Sequence, residues 1–131
     1  MLRFTRELIA LRKRHPALRR SRFLTLPENT ESGDIHWYGE HLAMPAWHDP
    51  GGRVLCFTLA GFMAEEPALH VMINMETTVR NLPLPGAAER SWRRIADTTL
   101  TAPDDIVPKG VQVPGRFYRL GPHGIAIFEE G

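Results

Sequence analysis

Apolar positions along this chain follow two different periods. At the start, Phe4, Leu8, Leu11, His15 and Leu18 recur at steps of four, three, four and three, the spacing that gathers side chains into one stripe of an α-helix. The spacing predicts a helix over residues 2–15. Pro16 ends it, because proline disfavours helical geometry in the residue before it. Arginines occupy the rest of that surface, and those in the last turn complement the helix dipole. After Arg22 the pattern shortens into runs rich in β-branched and aromatic residues. Strands are expected near Phe23–Leu26, Ile35–Tyr38, Val54–Leu59, Leu69–Met75, Val79–Leu82, Trp92–Asp97, Gly115–Leu120 and Gly124–Glu129. PENTESGD, HDPGG, PLPG, APDD and GPHG separate them, and these residues set the backbone angles of turns. Many short strands with regular turns predict a mainly β fold: an antiparallel β-sandwich of about seven or eight strands behind one amphipathic helix. The last two runs, FYRL and GIAIF, read as a closing hairpin across Gly121-Pro122-His123-Gly124.

This pattern divides the 131 residues into 1–22, the helical segment, and 23–131, the sandwich. Charge divides them in the same place. Residues 1–22 carry eight basic groups against Glu7 alone, a balance of +7, while the remainder carries eight basic and fourteen acidic groups, a balance of −6. A lone helix cannot bury its own stripe. Either this one packs on the sandwich or it belongs against another body, and a stripe left wet predicts self-association. Cys56, the one cysteine, lies in the apolar run VLCFTL and reads as a buried, inert thiol in a reducing compartment. No apolar run reaches the ~20 residues of a membrane helix, and no signal-peptide core is evident. A cytoplasmic location is the expectation.

Catalytic chemistry finds little footing. Glycoside hydrolysis needs two carboxylates opposed across roughly 5–10 Å. The acidic pairs here are Glu65-Glu66, Asp104-Asp105 and Glu129-Glu130, and neighbours on an extended chain point to opposite faces. No serine has a Gly-x-Ser-x-Gly context, and no glycine-rich phosphate loop occurs. His36, His41 and His48 lie close in sequence, but without the tight spacing of a zinc site. No catalytic residue, metal ligand or cofactor is assigned.

Two binding readings remain open. Trp37, Tyr38 and Trp47 could stack on sugar faces as an α-glucan-binding module, against the alternative that Trp37 and Trp92 are core residues. The +7 segment could touch nucleic acid in a regulatory role, or an anionic membrane surface, although no nucleic-acid motif is present and basic helices are commonly just solvated.

Several segments together resemble the glycogen-debranching, isoamylase-type branch of the α-amylase superfamily of glycoside hydrolases. FTRELIALRKRHPALRR is similar to the final helix of that superfamily's (β/α)8 barrel, with its Leu-Ile-x-Leu-Arg run and following His-Pro-x-Leu. DIHWYG and the later Trp47 of MPAWHD resemble the branch's Asp-x-x-Trp-x-Gly and Pro-Asp-Trp, with Ala46 where Asp is common. RVLCFTLAG, LHVMINM ending near Asn74, NLPLP, SWRRIADT, APDDIV and GRFYRLGPHGIAIFEE continue the pattern in order, with Gly124 where Ser is common. The resemblance implies a non-catalytic C-terminal domain beside a barrel that cleaves α-1,6 branches of glycogen, with Phe4, Leu8 and Leu11 facing that barrel. The three catalytic carboxylates of such barrels map to no residue here.

Overall fold

The computed structural model describes residues 2–19, 35–40, 51–61, 66–86 and 90–131. A helix, α1 (Leu2–Arg14), leads through His15 into a short 3-10 turn at Pro16–Arg19. Among the described residues eight strands follow: β1 (Ile35–Tyr38), β2 (Val54–Leu59), β3 (Leu69–Asn74), β4 (Arg80–Pro83), β5 (Trp92–Asp97), β6 (Ile106–Gln112), β7 (Phe117–Leu120) and β8 (Gly124–Glu130). Six form one antiparallel sheet in the order β1-β2-β3-β8-β5-β6, and β4 pairs with β7 in a second, two-stranded sheet. The expected strand at Phe23–Leu26 lies outside the described residues.

Period-two alternation explains the layering. Cys56, Met72, Ala126, Phe128 and Trp92 project from one face of the large sheet and meet Leu82, Leu84 and Leu120 from the small one. This inner core is sealed: Met72, Leu82, Leu120, Ala126 and Phe128 expose no measurable surface. Asn74 stitches the layers together at the end of β3. Its side-chain amide donates to the carbonyls of Thr78, Leu120 and Gly121, while its Oδ1 accepts from the Glu76 backbone N–H. Burying so many polar atoms is tolerable only because each is matched.

Three expectations change. FYRL and GIAIF do not form a hairpin: β7 pairs with β4, and the GPHG turn carries the chain across to the other sheet. The reason lies in β8, whose residues are apolar on both faces and which occupies a central position between β3 and β5. Strand β6 was not expected, because Pro108 and Gly110 interrupt it. It forms the outer edge, where a proline costs no ladder bond. Gly110 adopts φ +78°, where a Cβ would sit 2.8 Å from the Arg93 Cβ, so only glycine fits. Register against β5 shifts between Arg94 and Ala96, a bulge that absorbs the extra residues. Finally, the apolar stripe of α1 is not left wet. Leu11 and His15 are buried and Phe4 and Leu8 half-buried, while Leu18 packs on the outer face of the large sheet with Ile35, Leu59 and Leu69.

Candidate functional site

The aromatic residues nominated for sugar stacking sit on β1 and in the segment after it. Trp37 pairs in register with Phe57, and their rings tilt against each other at 5.1 Å between centroids. It belongs to the outer cluster of Leu18, Ile35, Leu59 and Leu69. Tyr38, the next residue, points through the sheet to the inner core and faces His70 at 6.1 Å. Successive strand residues address opposite faces, so the two rings cannot share one platform. Trp47 lies outside the described residues, as do His41 and His48. Trp92 is a core residue, and its indole N–H donates to the Pro85 carbonyl at 3.0 Å.

Most of the described acids are engaged in structure. Asp97 is buried at the end of β5; its Oδ1 accepts from the Thr99 backbone N–H at 2.8 Å and from the Thr99 hydroxyl at 2.6 Å. Its other oxygen accepts from the Tyr118 hydroxyl. Burial first, then the Asp97 carboxylate, pushes the Tyr118 phenol above its ordinary range. Tyr118 therefore serves as a donor locked to one acceptor, joining the two sheets.

Glu66 and Glu129 come closest to an opposed pair, and His15 stands between them. Imidazole Nε2–H donates to Glu129 Oε2 at 2.8 Å, and Nδ1 lies 3.6 Å from Glu66 Oε1. Glu66 Oε1 also accepts from the Ala17 backbone N–H at 2.9 Å, and Glu129 Oε1 accepts from Arg93 at 2.6 Å. The ring fills the gap that a glycosidase pair would reserve for a sugar and a water. Chemically the arrangement is a clasp, tying the end of α1 to the loop before β3 and to β8. Sequence reading placed His15 on the apolar stripe but offered no sign of its partners, which lie 51 and 114 residues away.

Two further groups show what burial does to reactivity. Cys56 is buried, and desolvation pushes its thiol up to about 11, which keeps it protonated and inert. His70 is fully buried among Tyr38, Trp92 and Phe128, and desolvation pulls it down to about 3. It is neutral at ordinary pH, sharing a 2.8 Å hydrogen bond with the Thr58 hydroxyl. Among the described residues, no group of three or more His, Cys, Asp or Glu side chains could hold a metal.

Comparison with known proteins gives this geometry a context. Residues 36–117 match the family described as isoamylase 1-3, C-terminal. The chain is 30% identical over 127 residues to the chloroplastic isoamylase 3 of Oryza sativa subsp. japonica, a match covering 97% of this chain and 15% of that protein. It is 36% identical over 135 residues to the chloroplastic isoamylase 2 of the same organism, covering 93% of this chain and 16% of that protein. The chain thus spans about one-sixth of the length of these relatives. Both are chloroplastic, a finding that corrects the cytoplasmic expectation. With more than half of its length matched, from β1 to the start of β7, the chain belongs to the isoamylase 1-3 C-terminal family.

Proposed function

We propose that the chain works as the non-catalytic C-terminal domain of an isoamylase-type glycoside hydrolase, a debranching enzyme that cleaves the α-1,6 branches of glycogen or related glucans. Its task is mechanical: to pack beside the catalytic (β/α)8 barrel and stabilise it, with α1 in residues 1–22 as the barrel's last helix and residues 23–131 as the sandwich. The observation that carries this reading is the commitment of Asp97, Glu66 and Glu129 to hydrogen bonds within the fold. Such acids hold strands and helix in place and have no opposed partner across an open space. Phe4 and Leu8, half-buried against their own sandwich, keep some surface to offer a barrel. Leu2 at 71% exposure and Ile9 at 51% offer more, on the side of α1 that faces away.

A domain swap tests this. Replacing the matched segment of the rice isoamylase 3 relative with this chain should give a folded chimera with isoamylase activity, whereas deleting the segment should lose both. A chimera no better than the deletion would sink the reading. An α-glucan-binding role is the second reading, resting on Trp37 and Trp47 without Tyr38, which faces the core. Tryptophan fluorescence that stays unchanged up to millimolar maltooligosaccharide would remove it.

A further inference from the structure

The outer face of the large sheet carries an unusual load of apolar side chains. On β2, β3 and β8 the residues on this side are aliphatic or aromatic apart from Glu129, which the His15 clasp engages, in cross-strand rows fixed by register: Phe57 beside Val71 beside Ile127, then Leu55 beside Ile73 beside Ile125. Strands apolar on both faces are ordinarily covered on both. Coverage here is graded from one end to the other. Nearest α1, the row Ile35, Leu59 and Leu69 is buried beneath Leu18. The middle rows are half-buried. At the far end Ile125 is 39% exposed, and Met75, which continues the β3 row beyond Ile73, is 49% exposed.

We infer that this far end of the outer sheet face, from Leu55, Ile73 and Ile125 to Met75, is the seat on which the remainder of a larger parent polypeptide docks through an apolar surface of its own. The inference rests on the C-terminal-domain reading above and names its contact surface. Two observations select the occupant. The match covers 15% and 16% of these relatives, so most of a parent of that kind is available to cover it. The end already closed is closed by the segment continuing directly from α1. The opposite end of α1 meets Asp105 and the Ile106 carbonyl through Arg3, and Ile106 shares the row of Ala96 and Ile127, so a body attached there is delivered beside the rows where coverage thins. The main contact then lies on the sheet, with Leu11 spent inside this chain's own fold.

The rice isoamylase 3 chimera tests it, with the free chain alongside. Ile125→Glu and Met75→Glu should leave the melting midpoint of the free chain unchanged within about 2 °C, because both side chains already meet water there. The same pair should lower the midpoint of the chimera by about 5 °C or more. Val111→Glu, exposed on edge strand β6 in the row that faces the inner side, should be neutral in both settings. A chimera that tolerates Ile125→Glu and Met75→Glu as well as Val111→Glu overturns the inference. So does sedimentation showing that the free chain is a tight dimer split by those charges, which would give the face to a second copy. An unsubstituted chimera that fails to fold removes the parent reading itself, before any variant is made, and this inference with it.

Discussion

The two faces of the six-stranded sheet are built from similar residues and closed in different ways. On the inner face, Met72, Ala126 and Phe128 meet Leu82 and Leu120 from the small sheet, and none of these five is left exposed. On the outer face, Leu59 and Leu69 are buried by a helical segment, but Phe57, Val71 and Ile127 are only half-covered and Ile125 meets water. The inner face is a closed core in which the side chains of Asn74 and Asp97 are matched within the fold. The outer face is finished only next to α1. A chain of this design holds its own shape through one face and keeps the other for a neighbour.

Breaking the inner face should cost most. Trp92→Ala removes a buried indole and its bond to the Pro85 carbonyl, a loss of about 3–5 kcal/mol. Phe57→Ala on the half-covered outer face should cost about 1–2 kcal/mol, since less contact is lost. Equal losses in urea unfolding would erase the distinction between the faces. Next comes the clasp that closes one end of the outer face. His15→Ala leaves Glu66 and Glu129 buried without the imidazole, an effect of about 2–3 kcal/mol. Amide exchange should then accelerate in α1 before it does in β3 or β8; uniform acceleration would deny the clasp its local role.

Acid sharpens the comparison further, because His70 belongs to the inner face alone. Its pKa falls from 6.5 to about 3 on folding, so between those values the unfolded chain binds a proton that the folded chain refuses. Stability is therefore intact above pH 6.5 and declines as pH drops toward 3, by about 2 kcal/mol at pH 5. His70→Gln should flatten that slope between pH 6.5 and 5; an unchanged slope would assign it elsewhere. Smallest of all is the pair of Arg3 with Asp105 at the exposed end of α1. Arg3→Ala should shift unfolding by about 0.5 kcal/mol or less, and a larger shift would mean that α1 is anchored by charge more than by Leu11 and His15.

Local patterns carried much of the fold. The β-branched runs of β1, β2 and β5 appear at their expected residues, as does α1 up to Arg14, because alternation and helical spacing are written in neighbouring positions. Pairing was harder. Nothing next to GPHG tells whether β8 turns back on β7 or crosses to β3 and β5; the two-sided apolarity of β8 was the available hint. Strand β6 was hidden by Pro108 and Gly110, which edge position and a bulge accommodate. At the candidate site, Trp37 and Tyr38 looked like one cluster because they are adjacent, yet adjacency on a strand separates them. The His15 clasp was illegible in principle, since its carboxylates come from distant segments that only the folded chain brings together.

The account turns on those carboxylates being part of the framework and not of a reaction. Purified chain incubated with branched α-glucan, with new reducing ends counted, tests this most directly. No release above the buffer control is expected, with or without Glu66→Gln or Glu129→Gln. Release by the unsubstituted chain that either variant abolishes would contradict it.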